Sequence, residues 1–192
     1  MAEWHSVGER SFPPNRNPFG NHFFGYITRN LTLPDGRAAT YYGLDIPPCV
    51  HVVAIDPDET VYLIQQHRPN VMRIGETVVP VALELPGGFA TPHKPHSESA
   101  QAELNQELSL RAEKLVHIGT LWPSVGVSNE QDHIFLGTDL SPIHVDGQLE
   151  ETEQSLQIVT GNFGQIYDEM RRGNQPVSAQ TLAALSLAAT RL

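Results

Sequence analysis

The stretch ELPGGFATPHKPHSESAQAELNQELSL, Glu84 to Leu110, changes its local character three times. It opens at the end of an apolar run, VVPVALEL (78–85), whose β-branched residues favour a strand. Pro86-Gly87-Gly88 breaks that run as a glycine bend, and a loop follows in which Pro92 and Pro95 restrict the backbone. From Glu98 to Ser109 the period becomes helical: Ala100, Leu104 and Leu108 recur every four residues along one face, and Ser97 is placed to cap the first turn. On that helix Glu103 and Glu107 lie one turn apart, about 100° around from the apolar stripe at 3.6 residues per turn. Two carboxylates so placed can share one cation, and hard oxygen ligands suit Mg2+, which completes its shell with water and substrate phosphate. The same spacing also occurs on ordinary solvated helix faces, so spacing alone leaves both readings open.

Working outward, β-rich runs precede the stretch. CVHVVAI (49–55) and VYLIQQ (61–66) bracket the turn Asp56-Pro57-Asp58-Glu59 and predict a buried hairpin. Before them, FFGYITRNLTL and RAATYYGL flank Pro34-Asp35-Gly36 and predict another. Residues 11–20 are rich in Pro and Asn and predict an extended tail or arm. After the helix, LVHIGTL and HIFLGTDL return to strand character, an acidic stretch (146–153) leads to a short strand LQIVT, and two helices close the chain. The first carries Phe163, Ile166, Tyr167 and Met170 on one face and stops at Gly173; the second takes Ser178 as its N-cap. The organisation expected is a tail (1–21), a hairpin arm (22–47) and one domain (48–192), an α+β fold with a mixed β-sheet core packed between helices.

The bulk composition sets limits on partners. The 192 residues hold 12 Lys+Arg against 22 Asp+Glu, a formal charge of −10, which repels nucleic-acid polymers unless a basic patch or a cation intervenes. Cys49 is the only cysteine, so no intrachain disulfide forms, and no apolar run approaches the ~18 residues of a membrane span. A cytoplasmic protein with neither membrane nor nucleic-acid partners is expected.

The stretch resembles the Nudix box, G-x5-E-x7-R-E-U-x-E-E-x-G-U with U apolar, and aligns with it without a gap. Gly88 matches the first glycine, Glu103 and Leu104 the E-U pair, Glu107 the second acid of the E-E pair and Leu110 the final U. Lys94, Ala102, Gln106 and Ser109 stand where the box has Glu, Arg, Glu and Gly, so the box is degenerate. LIQQHRP before it, PSVGVSNE after it and SAQTLAALSLA near the end resemble the ADP-ribose and nucleotide-sugar pyrophosphatase branch of that superfamily, extending the likeness from about His22 to the C-terminus.

The resemblance implies a Nudix fold with an N-terminal hairpin arm that dimerises, and Mg2+-dependent hydrolysis of a nucleoside diphosphate derivative, Mn2+ being the expected substitute. It implies metal ligation by Glu103, Glu107 and the Gly87 carbonyl, a substrate-gripping Arg68 in QQHR, and a late acid among Glu150, Glu151 and Glu153, with Glu153 taken for the role. Lys94 becomes a candidate phosphate contact. The box Arg, the first acid of the pair and the earlier Glu form an ion network in the family; here Ala102, Gln106 and Lys94 replace all three, which strands no single charge. Ser109 would take a left-handed position at about 1 kcal/mol relative to glycine. A module that binds nucleotide without turnover is the alternative. Trp122, Phe23, Phe24, Tyr41 and Tyr42 could stack on a base but read first as core and interface packing, and His93 and His96 read as loop histidines beside a phosphate site rather than as a zinc pair.

Overall fold

A computed structural model of the chain describes residues 5–12, 25–78, 80–144, 155–173 and 177–192, with 5–12 as backbone only. Glu150, Glu151 and Glu153, together with Phe23 and Phe24, lie outside the described residues. The chain divides into two compact units, Met1–Pro48 with Trp122–Gln131, and Cys49–Leu121 with Asp132–Leu192.

The first unit is a three-stranded antiparallel sheet, β1 (His5–Phe12), β2 (Gly25–Thr32) and β3 (Ala38–Asp45), in that spatial order. The β2–β3 hairpin has the expected turn. Gly36 adopts φ 85, and Arg37 clamps Asp35 with its Nε 2.7 Å from Oδ2. The strand β1 corrects the reading of residues 1–21 as a tail. HSVGERSF has too little apolar alternation to signal a strand, and its order comes from pairing along the edge of β2, with a register shift between Ser6 and Gly8. The 122–131 loop joins this unit through Asn129, whose Oδ1 accepts from the Ile46 amide at 2.9 Å and whose Nδ2 donates to Asp45 at 2.7 Å.

The second unit is a seven-stranded mixed sheet. Its strands are β4 (Cys49–Ile55), β5 (Thr60–His67), β6 (Val81–Glu84), β7 (Gly87–Phe89), β8 (Leu110–Leu121), β9 (Asp132–Pro142) and β10 (Gln157–Asn162). The main order is β10-β5-β4-β9-β8, with β6 on β5 and β7 on β4; the β4–β9 pair is parallel and the other pairs antiparallel. Alternation along β4 sends Val50, Val52 and Ala54 to one face, where they meet Ala100, Leu104 and Leu108 of α1 (His96–Leu108). Val53 and Ile55 go to the other, against Phe163 and Met170 of α2 (Phe163–Arg171) and Ala184, Leu185 and Ala188 of α3 (Ala179–Ala188). This is an α+β architecture, a mixed sheet between helices.

Helix ends follow local chemistry. Asn162 and Ser178 cap α2 and α3 by accepting from Gln165 and Thr181 amides, and Gly173 takes φ 72 just past α2. At α1 the cap differs from expectation. Pro95, not Ser97, is the N-cap and makes no side-chain bond, while the Ser99 hydroxyl accepts from the Thr91 amide at 2.9 Å and ties the preceding loop to the first turn. The helix ends on Ser109 at φ 54, ψ 36, a left-handed residue whose amide donates to Asn105 O at 3.0 Å.

One irregularity builds the site. Strands β4 and β5 pair only at Ala54↔Tyr62 and Ile55↔Val61, next to the turn where Glu59 holds φ 65. Beyond that they part. β5 continues against β6 and β4 against β7, so the segment from Val81 to Phe89 fills the fork, with the Val52 amide donating to Pro86 O at 3.0 Å. The expected strand 78–85 is shortened to Val81–Glu84, Pro80 having no amide to donate to a ladder.

Candidate active site

The fork places Gly87 and Gly88 on β4, opposite His51 and Val50. Neither glycine has a positive φ, which corrects the expected glycine bend: the two residues are strand, and glycine is needed there for close approach. A Cβ on Gly87 would lie 2.2 Å from Val50 O and 2.7 Å from His51 Nδ1; one on Gly88 would lie 2.6 Å from Glu103 Oε1. Bare backbone therefore lets α1 lower its acids onto the strand.

Glu107 is buried, and its Oε2 accepts from the Gly87 amide at 2.8 Å. Glu103, half-buried, rests its carboxylate on Gly88. The structure thus brings Gly87, Gly88, Glu103 and Glu107 together along one seam. The apolar stripe that holds α1 in place is fully covered, Ala100 and Leu104 at 0% exposure and Leu108 at 5%. Burying a leucine side chain contributes about 1.5–3 kcal/mol, so this stripe anchors α1 on the sheet.

Arg68 follows β5, and its Nε and Nη2 donate to the two oxygens of Glu84 at 2.7 Å each, a bidentate pair with the arginine half exposed. Such a pair adds little stability at that exposure but fixes the guanidinium's direction. Sequence reading treated Glu84 and Arg68 separately; their two-strand register, Ile64↔Glu84 and His67↔Val81, is what joins them. Lys94 and Ala102 are exposed and Gln106 is half-buried. His93, at φ 64, is exposed in the box loop, whereas His96 packs its ring 3.8 Å from that of His133. The Thr120 hydroxyl lies 3.2 Å from His117 Nε2 and 3.3 Å from His133 Nδ1. Burial first, then the neighbouring His96 and His117, pull the His133 imidazole below its ordinary value. Strand pairing (Thr120↔His133) created that cluster, and no sequence spacing announces it.

No family model matches the chain. Among proteins of known activity, it is 27% identical over 135 residues to the ADP-ribose pyrophosphatase of Bacillus subtilis, covering 70% of this chain and 69% of that one. It is 26% identical over 152 residues to the CMP-5'-(N-acetyl-N-hydroxy-3-aminopropyl)phosphonate hydrolase of Streptomyces rubellomurinus, covering 78% of this chain and 66% of that one. The crystal structure of an ADP compounds hydrolase superposes with a TM-score of 0.75 at 19% identity, over 99% of this chain and 94% of the other. Among the described residues no helix is long and apolar enough to cross a membrane. With the ungapped box folded as a glycine strand under an acidic helix, the chain is similar in sequence to an ADP-ribose pyrophosphatase and shares the fold of an ADP compounds hydrolase.

Proposed function

We propose that the protein hydrolyses the diphosphate linkage of a nucleoside diphosphate derivative, ADP-ribose or a nucleotide sugar, to a nucleoside monophosphate and a phosphate ester, with Mg2+ or Mn2+ as cofactor. The observation that carries this reading is the seam: Glu107 on the Gly87 amide at 2.8 Å and Glu103 packed on Gly88. The donor set fits a hard divalent cation, since Glu103, Glu107 and the Gly87 carbonyl offer oxygen only. When bound, the metal offsets the charge of the diphosphate and lowers the pKa of the attacking water.

The chain's own residues do the rest. Glu103 and Glu107 hold the cation, and the Gly87 amide keeps Glu107 aimed at the seam. Arg68, oriented by Glu84, grips the diphosphate in the fork-to-oxygen geometry that a lysine lacks. Lys94 adds a positive charge from the box loop. Glu153 takes the proton of the water as oxygen bonds to one phosphorus and the bridging P–O bond breaks toward the leaving phosphate. The exposed Tyr26, Tyr41 and Tyr42 of the 22–47 arm favour an isologous homodimer in which each arm helps form its partner's substrate site. The four departures from the box favour one second reading, a nucleotide-binding module without turnover.

A panel of ADP-ribose and nucleotide sugars, incubated with Mg2+ and with Mn2+, tests the proposal. Release of nucleoside monophosphate supports it; ligand-induced thermal stabilisation without product supports the binding module. Light scattering at micromolar concentration should give the mass of a dimer, and a monomer would refute the shared-site arrangement.

A further inference from the structure

Three histidines from three elements meet on the face of the sheet that α1 covers. His96 opens α1, His117 lies in β8, and His133 in β9 is the register partner of Val50 and two residues from Phe135, both of which pack against α1. The ring centroids of His96 and His133 are 3.8 Å apart, and those of His117 and His133 5.8 Å. A bulge in β8 makes the meeting possible. The register shifts between His117 and Gly119, so that Ile118 packs in the cluster that holds Leu185 and Ala188 of α3, and a Cβ on Gly119 would also meet α3, at 2.8 Å from Leu187. With two successive residues facing α3, His117 and Thr120 share the opposite face. There the Thr120 hydroxyl stands between His117 Nε2 at 3.2 Å and His133 Nδ1 at 3.3 Å.

A hydroxyl has one proton to give and two lone pairs, so between two neutral imidazoles it donates to one and accepts from the other. Protonated imidazoles are donors only, and the hydroxyl would then sit between two positive charges. The surroundings do little to offset such charges. Among the described residues none of the three rings makes an ion pair. From β4 the cluster meets apolar Val50; Asp132, the acid next to His133 in the chain, faces the other side of the sheet and pairs with His51 at 3.6 Å. On the segment that carries His96, Lys94 and Glu98 are both exposed, and the free amides of the first helical turn disfavour positive charge. Burial, His96 and His117 together outweigh Asp132 and lower the affinity of His133 for a proton.

We propose that His96, His117 and His133 form an acid-released latch: neutral, they hold the start of α1 on β8 and β9, and protonated, they repel one another and let it go. The latch acts on the box loop, because the Ser99 hydroxyl in the first turn of α1 accepts from the Thr91 amide at 2.9 Å. Release of that turn frees the loop and Lys94 with it, while Leu104 and Leu108 keep the rest of α1 on the sheet. Because the folded His133 binds its proton below the ordinary 6.5, the unfolded chain takes one up first as pH falls. Stability is therefore whole above 6.5 and is lost as pH drops through the lowered folded value. The latch does not depend on what substrate the seam takes.

The test is a pH series on the full chain. In the wild type the melting temperature should be level above pH 6.5 and fall by about 2 °C or more toward about pH 5, before the carboxylates protonate at about 4. His133→Phe keeps an aromatic ring against His96 and removes the central titrating group, so it should flatten that fall; His93→Asn, at an exposed loop position, should not. Hydrogen exchange locates the release. Protection of the Thr91 amide should drop about tenfold between about pH 7 and about pH 5 in the wild type and stay level in His133→Phe. If His133→Phe does not fold, His117→Gln, at an exposed position, removes one of the repelling neighbours, and the His133 ring should then take its proton at a higher pH in proton NMR. An unchanged acid slope in His133→Phe, Thr91 protection indifferent to pH, or a His133 titration that ignores the loss of His117 would each overturn the proposal.

Discussion

The box helix has two sides with different histories. On the inner side Glu103 and Glu107 press on Gly88 and Gly87, and Gly88, Glu103 and Glu107 match the box. Away from it Ala102 is exposed and Gln106 half-buried on the helix, Lys94 is exposed in the loop before it, and all three depart from the box. The contrast separates what the fold and chemistry require from what they tolerate. An inner substitution meets backbone or a carboxylate at under 3 Å, whereas outer positions can change together because water accepts whatever charge they carry.

The sharpest way to break this contrast is to put a methyl group into the seam. Gly87→Ala would set a Cβ 2.2 Å from the backbone oxygen of Val50, which cannot move without unpairing β4 from β7. Loss of several kcal/mol, or failure to fold, is expected, on the scale of strained or overpacked sites. Gly88→Ala meets only the end of the Glu103 side chain, at 2.6 Å, so it should fold and lose activity instead. Denaturant melts set beside turnover would separate the two; equal stability losses would show that the seam is not selective for the acid.

Next in size are the acids themselves. Glu103→Gln and Glu107→Gln keep the shape and, for Glu107, an oxygen to accept from the Gly87 amide, yet remove a charge proposed to hold the metal. Turnover should fall by about 10²–10³-fold or more, corresponding to several kcal/mol of charge stabilisation, while melting temperatures stay within a few degrees. Leu104→Ala does the opposite. It removes a side chain at 0% exposure, costs about 2–5 kcal/mol of stability, and should lower activity only as the folded fraction falls.

Most of the fold was legible because β4, β5, β10 and α1 to α3 carry strong pattern signals, with caps that agree at α2 and α3. What escaped was set by pairing rather than by local preference. HSVGERSF becomes β1 only through its partner, and PGGF becomes β7 only because β4 and β5 part. At the site, the one-turn spacing of Glu103 and Glu107 could be read from the chain, whereas glycine at 87 and 88 read as a bend and serves instead for close approach within a strand. The Arg68–Glu84 clamp and the histidine cluster could not, since each depends on registers between strands distant in sequence.

The outer side is sharpened by restoring what was lost. Lys94→Glu alone exchanges a positive for a negative charge at the position proposed to face the diphosphate. Through solvent each unit charge acts with about 1 kcal/mol, so the reversal is worth about 2 kcal/mol and substrate affinity should fall about thirtyfold. Adding Ala102→Arg and Gln106→Glu brings partners at helical i, i+4 spacing, worth about 0.3–0.5 kcal/mol, and should recover metal-dependent activity. Equal affinity of wild type and Lys94→Glu across a Mg2+ titration would remove Lys94 from the site and leave it as a solvated loop residue.

The smallest effect tests the fork on which the seam depends. Tyr62 is one of the two β5 residues still paired with β4, and its hydroxyl donates to Asp56 Oδ2 at 2.6 Å across the turn that starts the fork. That hydrogen bond, helped by burial and by the negative charges of Asp56 and Asp58, raises its phenol from 10.0 to about 12. A folded-state pKa raised above the unfolded one means that the native chain holds a proton the unfolded chain has released. The contribution is whole below pH 10 and is lost as pH rises toward about 12. Thermal stability should therefore be level up to pH 10 and fall above it, with that alkaline component absent in Tyr62→Phe. Phenolate absorbance should show one tyrosine ionising near 12 in the wild type and none there in the variant. If both proteins lose stability alike above pH 10, the Tyr62–Asp56 bond does not brace the fork, and the parting of β4 from β5 rests on β6 and β7 alone.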